Sequence, residues 1–313
     1  MAVRYAYSGP AAAWAYKCLD LGGVKRIFIL HPSHHQALST AALPTVTAYR
    51  TPLSADPLPL DLDTIQHLST IDEAEHSAEM QLPFLHRLLQ RLYPGRAVAE
   101  YPPLVPIMVG ATSTAAEVVL GKLLAPYVAD PESNAFVISS DFCHWGSRFQ
   151  YTYYVADAPS PAVDARVLPN NHTDKNSSSG HHDDEEQQLL LRLHKRLSPG
   201  TQLRKTPGPG QPLIYESIAH VDRACMCAIA TGAHADFVGV LRATGNTVCG
   251  RHPIGVFMAA VEEANRIRGT ATKEAEAKNE RDGIFHFIRY ERSGDCTSVR
   301  DSSVSYVSAY ALL

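Results

Sequence analysis

Five short apolar runs rich in β-branched residues punctuate the chain, at positions 26–30, 104–109, 135–139, 284–290 and 304–312, and helical patterns fall between most of them. That alternation is the strongest constraint on the fold. Buried strands separated by amphipathic helices imply a sheet layered with helices, an α/β sandwich. Leu82, Leu85, Leu88, Leu89 and Leu92 recur at three- and four-residue spacings and make one apolar stripe. Pro83 then belongs in that helix's first turn, where its missing N–H does little harm. Further helices are expected over 114–127, 215–230, 233–242 and 253–267.

A chain of 313 residues with 45% hydrophobic composition can bury one large core, so a single domain over 1–313 is expected. Its exception is 156–211, where the composition shifts to Pro, Ser, Asn, Asp and Gly. Such a stretch buries too little apolar surface to offset its ordering entropy and reads as a disordered insertion at the surface. Lysine and arginine number 28 against 32 acidic residues, a formal charge of -4, which gives no positive field to hold a nucleic-acid backbone. The six cysteines, at 18, 143, 225, 227, 249 and 296, show no CxxC spacing and read as reduced thiols. The N-terminus lacks the pattern of a secretory signal, and no apolar run approaches the ~18 residues of a membrane span. A soluble protein of the cytoplasm, or also the nucleus, is expected.

Four clusters could carry chemistry. His31-Pro32-Ser33-His34-His35 follows the first strand, and ligands in open α/β sheets collect at the carboxyl ends of strands. Ser140-Asp141-Phe142-Cys143-His144-Trp145-Gly146 follows the strand at 135–139. Asp141 and His144 there suit a proton-transfer pair or a carboxylate orienting an imidazole, and the same residues also suit a plain turn with a packed Trp145. In Cys249-Gly250-Arg251-His252-Pro253 a thiol lies beside an arginine and before a helix, so its thiolate form should be favoured. Asp72-Glu73-Ala74-Glu75-His76-Ser77-Ala78-Glu79 is expected to open the leucine-striped helix. Acidic residues in a first helical turn complement the macrodipole, and His76 and Glu79 would share a face fit for a metal or a general base. Cys225 and Cys227, two apart on one helix, point to nearly opposite sides and read as core. The chain has no Gly-x-Ser-x-Gly elbow, Walker loop, dinucleotide fingerprint or His-Glu-x-x-His helix.

Taken in order, these motifs resemble the Memo family, named for a mediator of receptor-driven cell motility. The resemblance rests on Arg26-Ile27-Phe28-Ile29-Leu30 with Pro32-Ser33-His34-His35, on Tyr49-Arg50-Thr51-Pro52-Leu53, and on Glu75-His76-Ser77 with Glu79-Met80. It continues through Asp141-Phe142-Cys143-His144-Trp145-Gly146, Cys249-Gly250-Arg251-His252-Pro253 and Asp301-Ser302-Ser303-Val304-Ser305-Tyr306. The family is similar in fold to class III extradiol dioxygenases, which hold ferrous iron with two histidines and a carboxylate. In Memo proteins a cysteine replaces the carboxylate, and the family is associated with copper and iron binding, redox control and phosphorylated receptor peptides. On that resemblance His34 and Cys249 are metal ligands, Asp141 and His144 line the same pocket, and His76 and His252 are further pocket candidates.

One departure matters. The family's other ligand histidine falls where this chain has Ala2, and the family's further upstream strand has no counterpart. That implies a shortened product of a gene whose longer form carries the histidine, or a degenerate site. The expected function is a copper- or iron-binding redox or signalling protein without ring-cleaving activity. Two rivals stand beside it: a non-haem iron dioxygenase acting on a catechol-like ring, and a phosphotyrosine-peptide module using Arg50 or Arg251 as phosphate partners.

Overall fold

The computed structural model describes residues 5–34, 38–68, 72–73, 78–159, 195, 197–271 and 283–313. These group into two compact units. One takes in the chain to Ala15, Asp141–Cys249 and Gly283–Leu312, and the other takes in Tyr16–Ser140 and Gly250–Asp282.

The unit beginning at Tyr16 is built on a five-stranded sheet. Its strands are β1 (Arg26–Pro32), β2 (Ala41–Leu43), β5 (Asp72–Glu73), β6 (Leu104–Val109) and β7 (Asn134–Ile138), in the order β5-β2-β6-β1-β7. β1 pairs in parallel with both neighbours, Ile27 lying opposite Leu104 on one side and Ala135 on the other. Parallel strands covered on both faces need apolar residues at successive positions, and β1 is buried from Ile27 through Pro32. Alternate side chains divide between the faces. Phe28 stacks on Phe136, with ring centroids 4.7 Å apart, and Phe136 meets Phe257 of α7 (Arg251–Ala271), which also packs on α4 (Thr114–Val128). Ile27 and Ile29 instead join Leu82, Leu85 and Leu89 of α3 (Leu82–Leu92), with Leu58 and Leu104. Helices on both faces make the expected α/β sandwich.

A hairpin of β3 (Ala48–Thr51) and β4 (Ser54–Pro59) and the short helix α2 (Leu62–His67) complete this unit. Asp61 caps α2 through Oδ1, which accepts from Thr64 N at 3.0 Å, while its Oδ2 holds Arg26 Nε at 2.8 Å. One expectation fails here. Asp72 and Glu73 do not open the leucine-striped helix; they form a strand beside β2, and the helix starts at Leu82. Pro83 suits that start, because the first turn has no use for the N–H that proline lacks.

The other unit holds an antiparallel sheet of β8 (His144–Trp145), β11 (Phe285–Arg292) and β12 (Ser303–Ala311), in the order β11-β12-β8. Against it lies α5 (Ile214–Ala230), which is apolar around most of its girth and buried along nearly its whole length, followed by α6 (His234–Thr244). Cys225 and Cys227 are fully buried on α5, as their spacing implies. The helix α1 (Tyr5–Cys18), absent from the sequence expectations, contributes Ala11, which packs on Val304 and Tyr306. Within 156–211, positions 160–194 and 196 lie outside the described residues; β10 (Thr201–Gln202) pairs with β9 (Tyr153–Tyr154).

Candidate functional site

The segment Asp141–Trp145 is laid against β12 by main-chain bonds, Phe142 N to Ser305 O at 2.8 Å and Ser305 N to Cys143 O at 2.9 Å. Trp145 is fully buried and donates its indole N–H to Tyr153 O at 2.9 Å, which anchors the segment. The turn that follows needs glycine. Gly146 has φ +128°, and a Cβ there would lie 2.7 Å from Ser302 Cβ and 2.8 Å from Asp301 O.

This anchoring presents His144 in a defined state. Its Nδ1 lies 3.0 Å from Phe142 O and 3.3 Å from Thr247 O, and both partners are acceptors. Assigned from those partners, Nδ1 carries a proton, which leaves Nε2 to face other groups. Nε2 faces Asp141 Oδ2 at 3.8 Å. Burial pushes the Asp141 carboxyl above its ordinary range, against the smaller opposing pull of His144. A carboxyl whose ionisation burial disfavours, opposite an imidazole nitrogen, is placed to exchange a proton with it.

Thr247 joins the second segment to the first. Its hydroxyl accepts from His144 N at 2.8 Å and donates to His144 O at 3.0 Å, and two residues on, Cys249 N donates to Asp141 O at 3.1 Å. Cys249 thus sits half-buried beside Asp141. Burial first, and Asp141 second, push its thiol up to about 12. The expectation of a favoured thiolate is therefore wrong for the metal-free protein. A low-polarity setting and a neighbouring carboxyl penalise a second negative charge, and Arg251 is exposed, with its Nε donating to His252 Nε2 at 3.2 Å. Tyr306 borders the same cluster. Its phenol is pushed up to about 12 by burial and then by Asp141. Sequence reasoning assigns no role to Thr247 or Tyr306; the former's place two residues before Cys249 is the only signal, and the latter's contact depends on strand pairing across more than a hundred residues.

The remaining candidates lie in the unit beginning at Tyr16. His31 is not a loop residue: it is buried within β1, and burial lowers its imidazole to about 4. His34 lies just past the strand and is exposed. His252, in the first turn of α7, is held on its Nδ1 face by Glu117 Oε1 at 2.7 Å and Thr112 Oγ1 at 3.1 Å. With Nε2 accepting from Arg251, the Nδ1 proton points to Glu117, so His252 ties α7 to α4. Gly250 admits the close approach that starts α7: its N–H donates to Ser140 Oγ at 2.9 Å, and a Cβ would overlap the Ser139 carbonyl and the Ser140 side chain. Ala2, His35 and His76 lie outside the described residues, and Arg50 is exposed.

A family model described as Memo-like protein matches residues 3–310. The chain belongs to the Memo family. It is 35% identical to Protein MEMO1 of Mus musculus, over 97% of this chain and 81% of that one, and 36% identical to Protein MEMO1 of Xenopus tropicalis with the same coverage. The MEMO1 family protein C4H3.04c of Schizosaccharomyces pombe is 34% identical over 98% of this chain and 84% of its own length. Among solved structures, the uncharacterized protein JW3007 of Escherichia coli K12 aligns over 91% of this chain and 86% of its own, with a TM-score of 0.34 and 11% identity.

Memo membership makes copper or iron the group to test against these residues. Cys249 suits a cation, since burial and the neighbouring Asp141 carboxyl keep a proton on its thiol that a cation would replace. Among the described residues, no group of three or more His, Cys, Asp or Glu is arranged to hold a metal ion. Nor is any helix among them long and apolar enough to cross a membrane.

Proposed function

We propose that this Memo-family chain is a metal-binding protein of redox or signalling function, with copper or iron held at Cys249; the family pattern names His34 as a further ligand. What supports the reading is the Cys249 thiol held near the Asp141 carboxyl, their main chains joined by the bond from Cys249 N to Asp141 O at 3.1 Å. Both groups resist ionisation in the metal-free protein, so bound cation and released protons are linked. A thiolate ligand favours softer ions such as copper(I) over the hard ions of carboxylate sites. A bound copper or iron ion would supply one-electron chemistry. The chain's own residues hold the donors in place: Thr247 fixes His144, and Asp141 fixes the Cys249 backbone.

The test is competition of the purified protein against a chelator for copper(I) and iron(II), with Cys249→Ala and His34→Ala. Loss of a direct ligand should weaken binding beyond the roughly 10- to 100-fold typical of partners once removed from the metal. Affinity unchanged in Cys249→Ala refutes the assignment.

A second reading has one observation of its own. Asp141 Oδ2 and His144 Nε2, 3.8 Å apart, are arranged for acid–base work of the kind a ring-cleaving dioxygenase uses. Oxygen uptake with a panel of catechols and iron decides it, and sustained turnover abolished by His144→Ala would replace the first reading.

A further inference from the structure

The two segments that carry Asp141, His144, Thr247 and Cys249 share a partner that plays no part in the chemistry above. Asp222, on α5, is completely buried. Its Oδ1 accepts from Asn246 Nδ2 at 3.0 Å, and its Oδ2 accepts from the Tyr290 hydroxyl at 2.8 Å. The Ser305 hydroxyl and the main-chain N–H of Cys143 also point into the carboxylate. One side chain thus gathers four stretches distant in sequence: Cys143, between Asp141 and His144; Asn246, next to Thr247; Tyr290 on β11; and Ser305 on β12. Two of these donors cannot be reversed. A main-chain N–H and an amide NH₂ only donate, so the position needs a group that accepts from both.

Isolated carboxylates are costly to bury, and a carboxylate is retained in such a place only with a full set of donors. Here the donors belong to the site's own scaffolding. Asn246 Nδ2 also lies 3.4 Å from Cys225 Sγ, and the main-chain N–H of Asn246 is held by Thr244 Oγ1 at 3.1 Å; a flipped amide would set its oxygen against the Asp222 carboxylate.

We propose that Asp222 is the positioning residue of the Asp141–His144–Cys249 cluster, fixing one site segment through the Cys143 N–H and the other through the Asn246 side chain. As far as it concerns metal affinity, the proposal rests on the metal-binding reading; as far as it concerns the geometry of His144, it stands without it. An amide at 222 has one acceptor oxygen in place of two and lacks the charge that strengthens the bonds from Asn246 and Cys143. The two segments then lose their common anchor while the main-chain bonds to β12 remain.

The test uses the full chain with Asp222→Asn, Asn246→Ala, the exchange Asp222→Asn/Asn246→Asp, and Phe237→Leu. Phe237 is fully buried on α6 in the same unit and lies outside the network, so its variant measures the effect of lost stability alone. Two readouts are taken: the His144 ring resonances of the metal-free protein, assigned with His144→Gln, and the affinity for copper(I) alone. The expected result is that Asp222→Asn and Asn246→Ala shift or double the His144 resonances and weaken copper(I) binding about 10- to 100-fold. The exchange, which returns one carboxylate and one amide to the same pair, should recover most of both. Phe237→Leu should lower the melting temperature and change neither.

Asp222→Asn with wild-type His144 resonances overturns the proposal, as does Phe237→Leu reproducing its effects. Copper(I) affinity that is also indifferent to Cys249→Ala refutes the metal reading alone, and the His144 resonances still decide the role of Asp222. Should Asp222→Asn fail to fold, Asn246→Ala and the exchange carry the same comparison.

Discussion

Acid should unfold the unit beginning at Tyr16 partly through one imidazole. His31 lies inside β1 with 2% of its surface exposed, and burial lowers it from 6.5 to about 4, with the charge of His34 adding to the same direction. Between these two values the unfolded chain binds a proton that the folded chain does not, so stability falls as the pH drops through the window. Above 6.5 both states are neutral and the contribution is complete; below 4 both are protonated and nothing further is lost. A tenfold difference in proton affinity between the two states is worth about 1.4 kcal/mol, so the whole window amounts to about 3 kcal/mol, most of it gone by pH 4.5. Urea unfolding at pH 7.5 and 4.5, for the wild type and His31→Gln, isolates this contribution, because other acid-sensitive groups are common to both proteins. The wild type should lose about 2–3 kcal/mol more than the variant over that interval. Equal losses would show that the imidazole titrates in the folded state as it does in the unfolded one, and the assignment of His31 to the dry interior of β1 would be wrong.

Other substitutions probe the remaining structure. Gly146→Ala places a Cβ against Ser302 and Asp301 at a backbone angle that side chains avoid, and should cost about 1–3 kcal/mol in thermal unfolding, with loss of order at His144. Phe28→Ala opens the face between the sheet and α4 and α7, and about 3–5 kcal/mol should be lost in denaturant titration. Thr247→Val keeps the shape but leaves the His144 N–H without its acceptor; about 1–3 kcal/mol of stability should go, and hydrogen exchange at the His144 amide should speed up.

The layered fold was legible because its signals are local. The β1 and β6 runs are apolar at successive positions, which only a strand covered on both faces requires, and the leucine stripe of α3 needs nothing beyond its own spacing. Where sequence reasoning failed, a distant partner decided the outcome. Asp72 and Glu73 carry the acidic character of a helix start, yet pairing with β2 overrides that preference. β1 extends through Pro32 because β6 continues alongside it to Val109, and this carries His31 out of the expected loop into the interior.

The candidate site divides in the same way. Residue types and order within Asp141–Gly146 and Cys249–Pro253 identify the groups that could do chemistry, but not their ionisation, since ionisation depends on neighbours contributed by other segments. Cys249 shows the consequence. Its sequence neighbour Arg251 predicts a stabilised thiolate, while its spatial neighbour Asp141, in a setting of low polarity, makes the thiol hold its proton up to about 12. The reversal changes what the cysteine is fit for. A free thiolate at neutral pH would be an oxidant's target; a thiol kept protonated beside a carboxyl becomes a strong donor only when a cation arrives to displace the proton. Metal affinity at this position should therefore rise steeply with pH, and oxidation of the metal-free protein should be slow, two properties that no reading of Cys249 within its own segment would predict.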